Sequence, residues 1–160
     1  MVSALRAAES VTDPELPMLT LADLGVLREV SEEDGRVVVS ITPTYTGCPA
    51  MDTMRDDLVH ALERAGYEDV EVRTVLRPAW SSDWITDDGR RKLAKAGIAP
   101  PGAAPRGPIP LRLGPAVRRV TCPLCGSADT VAVSEFGPTA CKALRRCHGC
   151  HETFEHVKEI

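Results

Sequence analysis

Two Cys-x-x-Cys pairs dominate the chemistry available to this chain: Cys122-Pro-Leu-Cys125 and Cys147-His-Gly-Cys150, separated by 21 residues. A turn of that length aims two sulfurs at one ion, and two such turns complete a tetrahedral shell. Gly126 follows the first pair and Gly149 lies inside the second, and both allow the backbone bends a thiolate turn needs. The set Cys122, Cys125, Cys147 and Cys150 therefore reads as a structural metal site, filled entirely by protein, with zinc as its metal. Spacing does not separate zinc from an iron centre held by the same four thiolates.

Other readings of these cysteines fit less well. A redox Cys-x-x-Cys is usually single and sits in a thioredoxin-like βαβ context, which is missing here. Cys147-His148-Gly149-Cys150-His151 matches the haem-c attachment pattern, but that chemistry needs an exported chain and would consume two metal ligands. Cys141 belongs to neither pair and reads as a small buried side chain. His148, His151 and His156 read as surface or supporting residues.

Cys48 stands alone in Thr44-Tyr45-Thr46-Gly47-Cys48-Pro49, after a strand and just before an amphipathic helix. A helix N-terminus favours a thiolate and predicts a lowered pKa. Gly47 leaves room for a ligand to approach the backbone, and the Thr46 hydroxyl is placed to bond one. An inert apolar plug is the competing reading. Asp13, Glu15 and Asp23 supply carboxylates early in the chain, and turn and capping roles account for Asp13 and Asp23. No glycine-rich phosphate loop and no nucleophile elbow occurs, so the sequence carries no convincing catalytic machinery.

The elements that must position these residues predict an α+β architecture. Val2–Ser10 suits a short helix, and Val26–Val30 and Val37–Ile41 form a hairpin across Glu33-Asp34-Gly35. Met51, Met54, Leu58, Ala61, Leu62 and Ala65 make one apolar stripe on a helix over 51–65. Val70–Leu76 alternates as a strand, and a last short helix runs from Thr86 to Gly97. Six of the thirteen prolines lie between 98 and 115, which reads as a linker. Val131–Ser134 and Thr153–Val157 suit the short strands of a ribbon. The expected organisation is a domain over 1–98, a Pro/Gly-rich linker over 99–115 and a four-cysteine zinc ribbon over 116–160. A tail of that size has too little core to fold without its metal.

Charge and composition narrow the function classes. The chain of 160 residues carries a net charge of −4, distributed as −9 over 1–86, +4 over 87–114 and +1 over 115–160. Six aromatic residues and this balance give no stacking platform in a basic groove, so nucleic acid is a poor partner; a nucleic-acid-binding ribbon is the remotest alternative. No apolar run reaches membrane-spanning length and the start lacks a signal-peptide core, which predicts a cytoplasmic protein with reduced thiols. Trp80 and Trp84 read as one core residue and one partner anchor.

Asp13-Pro14-Glu15-Leu16-Pro17, Asp23-Leu24-Gly25 and Thr46-Gly47-Cys48-Pro49 resemble the SufT-like iron–sulfur assembly domain, over about residues 1–98. Cys122-Pro-Leu-Cys125-Gly126-Ser127, the run Ser134–Leu144, Cys147-x-x-Cys150, Pro78-Ala79-Trp80, Asp83-Trp84 and Gly89–Leu93 resemble the PaaD accessory subunits of bacterial phenylacetyl-CoA epoxidases, over nearly the whole chain. The resemblance implies a reactive cysteine at Cys48, supported by Asp13, Glu15, Thr46 and Gly47, that transiently holds iron or an iron–sulfur cluster. One thiolate is too few ligands for a cluster, which a homodimer would remedy. It implies a non-enzymatic accessory factor that assembles or repairs a metal centre of a multicomponent di-iron oxygenase, with the flavin and iron–sulfur reductase as client. The alternative is a structural subunit of the assembled oxygenase. In the assembly-factor reading, Arg145 and Arg146 or the apolar face near Phe136 would meet the client, and Cys141, which fits the family pattern, gains a functional or supporting role.

Overall fold

The computed structural model describes residues 2–108, 113 and 118–160. Of the proline-rich stretch read as a linker over 99–115, residues 109–112, 114 and 115 lie outside the described residues, as do 116 and 117 of the expected ribbon. The chain divides into two compact units, Met1–Gly89 and Arg90–Ile160.

In the first unit, α1 (Ala4–Glu9) starts at Ser3, whose hydroxyl accepts the Arg6 N–H at 3.3 Å. The strands β1 (Leu27–Glu33) and β2 (Arg36–Ile41) pair antiparallel across the tight turn at Asp34-Gly35. The helix α2 (Met51–Arg64) then carries the chain over to β3 (Val70–Thr74), which lies parallel to β2. The sheet order is β1-β2-β3, with β2 in the centre. Its run of valines suits that place, because Val37, Val38, Val39 and Ile41 are all buried. The expected apolar stripe on α2 is the buried one: Met54, Leu58, Ala61 and Leu62 face inward. Burying a leucine such as Leu58 contributes about 2 kcal/mol.

Between α1 and β1, Leu16, Leu19, Leu21, Leu24 and Val26 all enter the core. Trp80 also enters it and donates its indole N–H to the Leu24 carbonyl at 2.9 Å. Trp84, in a 3₁₀ turn over Ser82–Trp84, is half-buried, with the Arg28 guanidinium 3.7 Å from its ring centroid. That answers which tryptophan is core.

The helix α3 (Asp87–Lys95) contains the division between the units. The second unit is a four-stranded sheet in the order β4-β7-β6-β5: β4 (Ile98–Ala99), β5 (Thr130–Ser134), β6 (Lys142–Cys147) and β7 (Thr153–Val157). β5, β6 and β7 are antiparallel neighbours, and β4 joins β7 in parallel. The first residues after α3 thus belong to this sheet, and the Gly102 N–H continues the attachment by donating to Glu159 at 2.9 Å. The buried cluster is small: Ala99, Val120, Cys122, Cys147 and Phe154. Two of these five are members of the Cys-x-x-Cys pairs, so the metal site and the core are one structure.

Candidate metal centre and cysteine site

The knuckle before β5 and the β6–β7 turn bring the four paired cysteines together. All four sulfurs lie within 4.8 Å of one another. Cys122 Sγ is 3.8 Å from Cys150 Sγ, and Cys125 Sγ is 3.5 Å from Cys147 Sγ. Zn–S bonds of about 2.3 Å place tetrahedral sulfurs about 3.8 Å apart. The donor set therefore fits a four-thiolate metal.

Each knuckle is closed by its own backbone. Gly126 N–H donates to the Cys122 carbonyl and Cys122 N–H to the Ser127 carbonyl, both at 2.9 Å. In the second knuckle Cys147 N–H donates to the Glu152 carbonyl, also at 2.9 Å. The bends differ from expectation in one respect. The left-handed residues are Gly126 and His151, while Gly149 is small for another reason: a Cβ there would sit 3.0 Å from Ser127 Cβ and 3.5 Å from Cys147 Sγ. Gly149 lets the two knuckles touch.

The electrostatics favour thiolate at Cys147 and oppose it at Cys150 and Cys125. The Cys150 backbone N–H, joined by Cys125 and the Gly149 N–H, holds Cys147 down to about 6 against its burial. The Glu152 N–H works to lower Cys150, but burial and the surrounding sulfurs overcome it and push that thiol up to about 12. Cys125 is raised too, although the Ser127 N–H acts to lower it, because Cys147 and burial prevail. The raised thiols keep their protons at neutral pH, and a divalent ion bound by the four sulfurs would displace them.

The other named residues fall outside this cluster. Cys141 is buried, with its sulfur 3.2 Å from the Thr139 hydroxyl. His148 faces Asp129 at 3.1 Å, His151 is exposed, and His156 is buried against Glu159 at 3.1 Å. Arg145, expected on a docking surface with Arg146, is buried instead, because its guanidinium turns inward to bond Arg118 and Thr130. Arg146 is exposed.

Cys48 lies in the β2–α2 loop of the first unit. Its N–H donates to the Tyr45 carbonyl and its own carbonyl accepts the Met51 N–H, each at 3.3 Å. The thiol is buried, while Thr46 and Gly47 are exposed beside it, Gly47 with φ +80°. The expected lowering of its pKa is reversed: burial pushes the Cys48 thiol up, against the Ala50 N–H and the Tyr45 hydroxyl, and the charges of Glu15 and Asp13 push the same way. The helix amide helps the thiolate, but desolvation outweighs it. The acidic turn therefore lies within electrostatic reach of Cys48.

Asp13 also has a clear structural task. Buried to 4% exposure, its Oδ1 accepts the Glu15 N–H at 2.9 Å and the Leu16 N–H at 2.7 Å. Asp23 exchanges hydrogen bonds with Thr20, each at 3.0 Å, in a reciprocal cap. Tyr45 is the residue that sequence reasoning missed; only its place three residues before Cys48 could have signalled it.

Comparison with known proteins finds two families along the chain. Residues 3–74 match a family described as iron–sulfur cluster assembly protein, and residues 108–158 match the PaaD zinc beta ribbon domain. A relative from Escherichia coli strain K12, provisionally named as a subunit of 1,2-phenylacetyl-CoA epoxidase, is 43% identical over 94% of this chain and 87% of its own. An Fe-S protein maturation auxiliary factor from Porphyromonas gingivalis is 31% identical over 56% of this chain and 86% of its own. The crystal structure of a domain of unknown function, DUF59, from Bacillus anthracis superposes with a TM-score of 0.52 at 26% identity, covering 56% of this chain and 87% of that one. No helix among the described residues is long and apolar enough to cross a membrane. With an assembly domain, a four-cysteine ribbon and a relative that matches along nearly its whole length, the chain belongs to the PaaD family of phenylacetyl-CoA epoxidase subunits.

Proposed function

We propose that this chain is a non-catalytic accessory factor that assembles or repairs an iron or iron–sulfur centre of the phenylacetyl-CoA epoxidase, in its flavin and iron–sulfur reductase. The observation that carries the reading is the buried Cys48 thiol in the β2–α2 loop, with the carboxylates of Glu15 and Asp13 acting on it. Iron, as cargo, would replace the thiol proton, and Thr46 and Gly47 leave one side of the loop open to a client. A second copy or the client supplies the ligands that one sulfur cannot.

The ribbon holds zinc through Cys122, Cys125, Cys147 and Cys150 in a structural role, since all four positions are filled by protein and little other core exists. Cys48→Ser tests the division of labour in cells. Epoxidase activity should fall while the protein stays folded and zinc-loaded. Full activity in that variant would remove Cys48 from the mechanism.

A second reading is favoured by the name of the Escherichia coli relative, which makes it part of the epoxidase itself. A structural component would co-purify in fixed ratio with the catalytic chains, whereas a maturation factor leaves after delivery.

A further inference from the structure

The two units carry opposite charge. Arg90–Ile160 has twelve lysines and arginines against five aspartates and glutamates, net +7, while Met1–Gly89 has seven against eighteen, net −11. No acidic residue occurs between Gly89 and Ala128, a stretch that holds eight of the twelve cations. The terminal carboxylate of Ile160 and a doubly negative zinc–tetrathiolate lower the second unit to +4 with its histidines neutral, and a proton on His156 raises it again. The sign stays positive in every assignment.

A groove of about 310 Å³ in this unit collects part of that charge. Among the described residues it is lined by Gly102, Ala103, Pro105, Arg118, Arg119 and Glu159. Glu159 sets its frame: Oε1 accepts the Gly102 N–H at 2.9 Å and lies 3.1 Å from His156 Nε2, while Oε2 accepts from Arg118 Nη1. One carboxylate thus ties Gly102 to Arg118, the residues on either side of the stretch 103–117. A frame held in this way exists before a ligand arrives, so docking on it costs little ordering entropy.

Arg119 differs from its neighbour. It is exposed, and among the described residues it has neither an ion pair nor a hydrogen-bonded side-chain partner. Arg118 and Glu159 offset each other, and the Ile160 carboxylate lines a different cavity. One uncompensated guanidinium therefore shares the groove with the small apolar surfaces of Ala103 and Pro105. That pairing suits a carboxylate carried on a peptide, whose remaining atoms pack on the apolar walls. Nucleic acid suits it poorly, because no aromatic residue lines the groove for stacking and a phosphate backbone needs a row of free cations. The net −4 of the chain also repels a long polyanion, whereas a short segment senses charges only within a screening length of about 10 Å.

We infer that this groove docks a short acidic segment of a protein partner, with Arg119 receiving its carboxylate. The inference goes beyond the accessory role above and does not depend on Cys48.

The test is an NMR titration of the zinc-loaded full chain at neutral pH, with a blocked tetraglutamate peptide, its tetraglutamine counterpart and a short DNA duplex as probes. Tetraglutamate should saturably shift the Ala103 and Arg119 amides and the Arg119 Nε–H signal, less tightly as salt rises, and tetraglutamine should not. Arg119→Glu should weaken tetraglutamate binding by about tenfold or more, and Arg119→Gln should give a smaller loss. Arg64→Glu makes the same charge change at another exposed, unpaired arginine, on α2, and should leave binding unchanged. An equal loss in Arg64→Glu would reduce the effect to net charge and overturn the assignment. So would tighter binding of the duplex than of the peptide, an equal response to tetraglutamine, or no saturable shift at Ala103 and Arg119.

Discussion

Gly126 and His151 occupy the same place in the two cysteine knuckles, each directly after its second cysteine, and both adopt a left-handed backbone, φ +78° and +65°. The two turns share one geometry, but only one of them uses glycine to reach it. Left-handed backbone costs an L-residue about 1 kcal/mol or more. Gly126→Ala should therefore lower the stability of the zinc-loaded ribbon by about that amount, with no clash, since nothing lies within 4 Å of the added carbon. His151→Gly should be neutral or stabilising by up to about 1 kcal/mol. Thermal melting of the zinc-loaded chain checks both.

Gly149 makes a different prediction. A Cβ there meets Ser127 Cβ at 3.0 Å and Ser127 Oγ at 3.2 Å. Gly149→Ala should weaken zinc binding by pushing the knuckles apart, and adding Ser127→Gly should restore much of it. Competition with a chelator measures both variants, and independence of the two changes would show that the contact is unimportant.

The Cys48 thiol should titrate above a free cysteine. Its alkylation rate, taken as the difference between wild type and Cys48→Ser, should reach half-maximum above about pH 8.5. Tyr45→Phe should move that midpoint further up, by removing a donor to the thiolate. Glu15→Gln should move it down, by removing a like charge. The linked stability has a definite sign: the folded state holds this proton more tightly, so its contribution is complete below the unfolded pKa and is lost as pH rises through the folded one.

Much of this architecture is legible in the residues, and the failures share a cause. The α2 stripe, the Asp34-Gly35 hairpin and the cysteine spacing are local patterns, and each matches its element. β6 is not visible that way, because Lys142-Ala-Leu-Arg-Arg-Cys147 buries charged residues: Lys142 is 5% exposed and bonds Glu155 at 2.7 Å, and Arg145 is 7% exposed. No hydropathy pattern announces a strand whose inward residues are cations. The pKa of Cys48 failed for a related reason. The helix that follows is readable from sequence, but the depth of the thiol depends on tertiary packing.

Glu159 joins Gly102, Arg118 and His156 at one carboxylate. Burial works to raise its pKa, but the hydrogen bonds from His156 and the Gly102 N–H, with the His156 charge, hold it well below the usual carboxylate range. Its contribution is present above the unfolded value near pH 4.3 and is lost as pH falls from there. Glu159→Gln should cost the second unit about 1 to 3 kcal/mol at neutral pH. Its difference from wild type should shrink under acid, in denaturant melts of the zinc-loaded proteins.

Metal and acid-labile sulfide analysis after anaerobic purification, on wild type and Cys48→Ser side by side, tests the central claim most directly. The account predicts about one zinc per chain in both proteins, with iron and sulfide, or iron alone, only in wild type. Zinc alone in both, or iron unchanged by the substitution, would contradict a carrier role for Cys48.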